Sequence, residues 1–448
     1  MQKFAASLID SVFFYIRNKN KFVQLLTTLD VRSASKDLIM SCDKNPSVKS
    51  FPDLLSELQE PVLFKNILCT TEGSNNWKLI HWSLEDFANK SGNIKLPFRV
   101  GKNIRTDEPQ WEVETPIEYK TMKEFLNNVT ENSNPEKWFY FDYKRMNEWF
   151  KDIPEIVKSF DWHQFGIDLD VSDSTIWIGS KGAHTNCHQD TYGCNLVAQI
   201  QGRKLWLLFS PECGDLMQPT RIPYEESTVY SKYNFFAPSK QEIEAIKNMP
   251  GSVKMVTLEP KDLLFIPKGW WHYVESLDIS LSVNVWLPLK EDCESRLKET
   301  LVHLVMNTIG DGLPKADDQS DSNVIESIKF VANSLQECQK LKNSSEPSVK
   351  RQKLNSKDEI TLECLKKKFP NSVTLISNLT IASVNDFIQK NNLAEESSST
   401  QESVNKRDEP TTLNILEAVV NSFCHPKVLS MVSEILTHNL TSENMEKR

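Results

Sequence analysis

The run Ala183-His184-Thr185-Asn186-Cys187-His188-Gln189-Asp190, with Trp270-Trp271-His272-Tyr273 far downstream, decides how this chain is read. Side chains two positions apart on an extended strand point to the same face. If this run is a strand, His188 and Asp190 both aim at one point. His272, brought alongside on another strand, completes two imidazoles and one carboxylate. That set occupies one face of an octahedral iron(II) and leaves three positions open. A His-x-Asp pair alone proves little, and its surroundings carry the reading. His272 follows Asp262-Leu263-Leu264-Phe265-Ile266-Pro267-Lys268-Gly269, an apolar strand closed by a Pro/Gly turn, and Glu259-Pro260-Lys261-Asp262 is a turn before it. Ligands on separate strands of a closed barrel fit this layout.

A second candidate lies between them. In Ile200-Gln201-Gly202-Arg203-Lys204-Leu205-Trp206-Leu207-Leu208-Phe209, Gln201-Gly202 reads as a tight turn and Lys204 opens an almost wholly apolar strand. A lysine there is either an edge-strand residue or a buried ammonium that needs an anion. Thr185 offers a hydroxyl near His188. The pair suits the distal carboxylate of 2-oxoglutarate, whose keto-acid end would chelate the metal. Further on, Ile279, Leu281, Val283 and Val285 alternate with Ser280, Ser282, Asn284 and Trp286. A polar strand face inside a barrel is costly unless it serves a site, and the alternative is a face turned to solvent. His184 is left outside the site, on the expectation that its offset from His188 places it beyond the strand end.

Ala183–Asp190, Asn195–Trp206, Trp270–Ser276 and Val283-Asn284-Val285-Trp286 resemble, in order, spacing and flanks, the core of a JmjC domain of the small hydroxylase subgroup. The resemblance covers about residues 51 to 290. It implies a double-stranded β-helix, a cupin or jelly-roll barrel with the metal at its mouth. It implies that His188, Asp190 and His272 are the catalytic triad for iron(II). Lys204 and Thr185, aided by Tyr140 in Trp138-Phe139-Tyr140-Phe141-Asp142, would hold 2-oxoglutarate. Asn195, Asn284 and Trp286 would line the same pocket. Asn186 departs from the family, where proline is common, and should alter the strand's entry more than the chemistry.

The reaction implied is hydroxylation of a protein with oxygen as co-substrate. N-methyl-lysine demethylation and hydroxylation of a modified RNA base remain alternatives. Gly193-Cys194-Asn195-Leu196-Val197 and Pro219-Thr220-Arg221-Ile222-Pro223-Tyr224-Glu225-Glu226-Ser227 are similar to family members associated with a small heat shock protein, which implies that partner. A non-catalytic binding role for such a protein is the reading from another class. The intact ligand set argues against it. Substrate choice in the family rests on loops at the barrel mouth, here residues 211–236.

The expected fold class is mainly β with flanking helices (α+β). Residues 1–50 read as a helical or poorly ordered segment, 51–295 as the catalytic unit, and 296–342 as a helical extension. Residues 343–410 read as a low-complexity, largely unfolded linker with a candidate short helix around Leu362 to Phe369, and 411–448 as amphipathic helices split by Pro426. Val324, Ile328, Val331, Leu335 and Cys338 form a helical stripe that either packs on the barrel or makes a homodimer seam. Pro347–Leu354 is a candidate nuclear import signal. The net charge of −9 and the lack of a basic stripe argue against tight nucleic-acid binding. Nine scattered cysteines, with no Cys-x-x-Cys pair, suggest neither a zinc site nor a disulfide framework. They fit a cytoplasmic protein with nuclear entry. No apolar run is long enough to span a membrane.

Overall fold

Short apolar runs rich in β-branched and aromatic residues, separated by Gly, Pro and Asp turns, dominate residues 175–287 and favour strands over helices. The computed structural model describes residues 49–69, 77–130, 136–310, 313, 324–344, 354–379 and 412–439. Ahead of the barrel lie β1 (Val62–Phe64), β2 (Leu96–Lys102), β3 (Ile117–Lys120) and β4 (Lys137–Arg145). The barrel strands are β5 (Thr175–Gly179), β6 (His184–Asp190), β7 (Cys194–Gln201), β8 (Lys204–Phe209), β9 (Pro219–Thr220) and β10 (Thr228–Ser231). They continue with β11 (Val253–Leu258), β12 (Leu263–Ile266), β13 (Trp271–Ser276) and β14 (Ser280–Leu287), while β15 (Val373–Leu375) comes much later.

One sheet has the order β15-β1-β12-β7-β14-β5-β4-β2-β3 and the other β11-β8-β13-β6-β10-β9. From β5 to β8, and again from β11 to β14, successive strands alternate between the two sheets. This is the double-stranded β-helix, with antiparallel pairing in each sheet. The Gln201-Gly202 turn therefore crosses between sheets. Gly202 sits at φ +63°, and a Cβ there would lie 2.1 Å from the Ile279 carbonyl oxygen.

Alternation along each strand divides the two faces. Leu196 and Ala198 on β7, with Val283 and Val285 on β14, point outward into an apolar layer. That layer is covered by α1 (Phe51–Glu57), α2 (Leu84–Ser91) and α3 (Met122–Thr130). Ser50 and Ser83 close reciprocal capping boxes with Asp53 and Asp86 at the starts of α1 and α2, each worth about 1 kcal/mol. The outer face of the second sheet is covered by Met217, Phe235, Phe236 and Ile246, the last on α4 (Lys240–Lys247). Val197, Leu208, Leu264, Ile266 and Val274 pack together as a separate apolar cluster. Val197 and Val274 of that cluster border a cavity lined mainly by polar and aromatic residues.

Beyond the barrel, α5 (Asp292–Ile309) packs against α6 (Val324–Ser344). Val331, Leu335 and Cys338 of the helical stripe meet Cys293 and Leu297 of α5. These three stripe residues are therefore covered within their own chain, by α5 rather than by the barrel. Periodicity marks a buried face but not what buries it. The largely unfolded linker expected over 343–410 is also corrected over residues 354–379. There α7 (Leu354–Lys368) and β15 add an edge strand antiparallel to β1. Leu365 is fully buried, and the Phe369 ring stands 5.1 Å from that of Phe51. The short helix expected around Leu362 to Phe369 is part of the longer α7. Residues 347–353, which carry the candidate import signal, and the N-terminal segment up to residue 48 lie outside the described residues.

Pro426 does divide two helices, α8 (Thr412–Phe423) and α9 (Pro426–Asn439). Both dock on α5 and on the loop after β9. Among the described residues the eight cysteines form no disulfide, and no helix is long and apolar enough to cross a membrane.

Candidate metal centre and co-substrate pocket

Antiparallel pairing of β6 with β13 places His272 directly opposite His188. Their ring centroids are 4.1 Å apart. The Asp190 carboxylate approaches both, at 3.8 Å from His188 Nε2 and 4.0 Å from His272 Nε2. One ligand atom from each of the three lies within 4.8 Å of the others. The backbone orients both imidazoles. His188 Nδ1 faces the Asn186 carbonyl at 2.9 Å, and His272 Nδ1 faces that of Trp270 at 3.2 Å. A carbonyl partner puts the proton on Nδ1 and leaves each Nε2 lone pair aimed at the shared point. Burial, and then the adjacent His188, push the His272 pKa below its ordinary value, which favours the neutral ligand form. Trp286 Nε1–H donates to Asp190 Oδ2 at 3.0 Å and fixes the carboxylate.

Strict alternation would send Thr185 to the opposite face from His188. A bulge in β6 prevents this. His272 pairs with His188, but Val274 pairs with Thr185, so β6 holds one extra residue. Thr185, His188 and Asp190 consequently all line one cavity. His184 lies within the strand, not beyond its end. The bulge turns it outward, where it stacks on Phe236 at 4.2 Å. Its exclusion from the site stands, for a different reason from the one given by sequence offset. Asn186, the departure from proline, donates through Nδ2 to the Gln110 carbonyl at 2.9 Å, and its own carbonyl orients His188.

The cavity, about 260 Å³, takes in all nine anticipated site residues: Tyr140, Thr185, His188, Asp190, Asn195, Lys204, His272, Asn284 and Trp286. Lys204 is 2 % exposed, and its Nζ donates to Tyr140 Oη at 3.2 Å. Burial pushes its pKa down to about 7, partly opposed by Asp142. Tyr140 is itself buried, which raises its pKa, and a hydrogen bond with Thr185 acts the other way. Asn284 Nδ2 donates to Asn195 Oδ1 and its Oδ1 accepts from Trp177 Nε1, both at 2.8 Å.

Sequence reasoning missed Trp177, Asp142, Tyr143, Arg145, Glu225 and Tyr230, which share the cavity wall. Tyr143 sits at φ +50° in an irregular stretch of β4 and stands against Trp177 and Trp286. No periodicity marks such a residue. Asp142 had a signal: it lies two positions from Tyr140, and a buried carboxylate needs a cation. Arg99 Nε supplies it at 2.7 Å, with the Arg99 guanidinium over the Trp138 and Tyr140 rings.

The residues fit iron(II) and 2-oxoglutarate. The donor set is two neutral imidazoles and a carboxylate. At the other end of the cavity a buried lysine has a neutral phenol as its hydrogen-bond partner among the described residues, and a carboxylate of the co-substrate would match it.

Comparison with known proteins gives the following. The cupin-like domain family matches residues 49–292. The chain is 37% identical over 266 residues to HSPB1-associated protein 1 of Bos taurus, covering 57% of this chain and 53% of that protein. It is 38% identical over 266 residues to the HSPB1-associated protein 1 homolog of Danio rerio, covering 56% and 57%. With Lysine-specific demethylase 8 of Xenopus tropicalis it shares 25% identity over 247 residues, covering 54% and 51%. The chain spans about half the length of the curated relatives it matches.

Proposed function

We propose, for a chain that belongs to the cupin-like family with a JmjC-type core, that it is an iron(II)- and 2-oxoglutarate-dependent oxygenase that hydroxylates a protein. One observation carries the reading: a facial His-Asp-His set and a buried lysine occupy the two ends of one cavity. Iron with 2-oxoglutarate supplies oxidative decarboxylation coupled to C–H hydroxylation. His188, Asp190 and His272 would hold the metal. Lys204, Tyr140 and Thr185 would receive the co-substrate's distal carboxylate. Trp286 and the Asn195–Asn284–Trp177 chain keep the wall rigid.

Hydroxylation is favoured over demethylation by the resemblance of the core motifs to the small hydroxylase subgroup, and identity to the demethylase is only 25%. Demethylation would begin with the same C–H step. A protein substrate is favoured over RNA because the chain carries a net charge of −9 and no basic stripe. The name of these relatives supports a small heat shock protein as partner. The test is succinate formation with iron(II), 2-oxoglutarate and oxygen, beside Asp190→Ala and Lys204→Ala. Turnover that disappears in both variants is the expected result. Absence of turnover, together with absence of 2-oxoglutarate-dependent thermal stabilisation, would leave the binding-protein reading in its place.

A further inference from the structure

The metal strand β6 has two neighbours, and one of them is weakly built. On one side β13 is central to the sheet. On the other, β10 has four residues and β9 has two, and they end the sheet. Thr228 pairs with Asp190 and Tyr230 with His188, and the Thr191 N–H donates to the Ser227 carbonyl at 3.0 Å. So short an edge has little stability of its own.

What holds that edge comes from far along the chain. The loop from Arg221 to Ser227 leaves the sheet and seats on the C-terminal helices. Arg221 is buried and makes a two-pronged pair with Glu299 of α5, at 2.9 and 2.7 Å. The same guanidinium donates to the carbonyl of Thr228, the first residue of β10, at 3.1 Å. The backbone N–H of Arg221 donates to Asn421 Oδ1 of α8 at 2.8 Å, and Asn421 Nδ2 donates to Thr220 Oγ1 at 3.1 Å. Ile222 and Tyr224 complete the seat among Val302, Met306, Val420 and Leu429. The loop then returns to the cavity with Glu225, Ser227 and Thr228.

We infer that Asn421 and Glu299 are positioning residues for the barrel mouth, through which α5 and α8 hold β10 against β6 and fix the placement of His188 and Asp190. A segment more than two hundred residues from the metal strand in sequence thus sets the rigidity of the metal strand and the shape of the mouth. The contacts are buried, directional and charge-assisted, so they select one loop position rather than merely adding adhesion. Only the metal arm of the test below rests on the oxygenase reading.

The experiment is amide hydrogen exchange by mass spectrometry on the full chain, for wild type, Asn421→Ala, Glu299→Gln, Asn421→Asp and the exposed control Val419→Ala. Mn(II) binding is followed in parallel. Asn421→Ala and Glu299→Gln should speed exchange about tenfold over 219–231 and 188–191, the factor for one or two ordinary hydrogen bonds. The segments of α1, β4 and β5 should be unchanged, and Mn(II) should bind several-fold more weakly. Asn421→Asp keeps the acceptor for the Arg221 N–H and should recover most of the protection, while Val419→Ala should match wild type. Faster exchange confined to 412–439, with the mouth unaltered, would overturn the inference. So would an equal rise across the whole barrel. If wild type binds no Mn(II), the oxygenase reading fails while the exchange comparison still decides this one. Should Asn421→Ala not fold, Lys232→Ala removes only the exposed pair with Glu417 (2.6 Å) and gives the same comparison with a smaller expected rise.

Discussion

Replacing Lys204 by methionine separates the two effects of a buried cation. Without a ligand, the ammonium costs stability. Its pKa lies near 7 in the folded chain against an ordinary value of about 10.5, a penalty on the order of 4 kcal/mol at neutral pH. The sign follows from proton counting. Between those two values the unfolded chain binds more protons, so unliganded wild type gains stability as pH rises from about 7 towards about 10. Lys204→Met should lack that rise. At neutral pH it should be at least as stable as wild type, the gain reduced by the lost Tyr140 hydrogen bond (3.2 Å). With 2-oxoglutarate the order reverses. Losing one partner of a buried charge pair costs about 2–4 kcal/mol, so the Kd should rise about 30- to 1000-fold. Urea denaturation across pH and calorimetric titration of 2-oxoglutarate into Mn(II)-loaded protein measure the two effects. Unchanged affinity would refute the anion-anchor assignment. A variant less stable than wild type without ligand, with the pH slope intact, would refute the burial argument.

Other substitutions probe other parts of the structure. Trp286→Phe keeps a ring beside Tyr143 but removes the N–H to Asp190 (3.0 Å), so Mn(II) affinity should fall about 10- to 100-fold. Equal affinity by titration would rule out the positioning role. Glu275 is partly buried beside Tyr273, and loss of solvation there raises its pKa to about 7. The folded chain then binds more protons than the unfolded chain between about pH 4.5 and 7. Stability should fall across that window by up to about 3 kcal/mol more in wild type than in Glu275→Gln, as read from urea midpoints at the two ends. Gly101→Ala would put a Cβ 1.9 Å from the Trp138 ring. It should destabilise by about 1–3 kcal/mol as an overpacking change, and an unchanged thermal midpoint would contradict the packing described.

Much of the site was legible because its chemistry is tied to strand register. His188 and Asp190 sit two apart, and the alternation of Ser282, Asn284 and Trp286 with Val283 and Val285 marks one interior face. Thr185 belongs to the site only through a bulge, which no periodicity announces. The same bulge explains why His184 faces outward. Tyr143 was hidden for a related reason, since the irregular stretch of β4 between Phe141 and Lys144 sets its direction, whereas Trp177 follows plain alternation between Ile176 and Ile178. The helical stripe showed a buried face but could not name α5 as its cover. In the polar segment around residue 360 a short helix was legible over 362–369, but not its start at Leu354, nor that Leu365 and Phe369 reach the aromatic cluster around Phe51. Long-range contacts such as Arg221–Glu299 depend on the whole fold and leave no local trace.

The most direct test is an anaerobic titration of the full chain with iron(II) and then 2-oxoglutarate, followed by the visible charge-transfer absorption of a keto acid chelated to ferrous iron. The account predicts a saturable band at one equivalent of metal, absent in Asp190→Ala and needing far more 2-oxoglutarate in Lys204→Met. No band in correctly folded wild type, or a band indifferent to both substitutions, would contradict it.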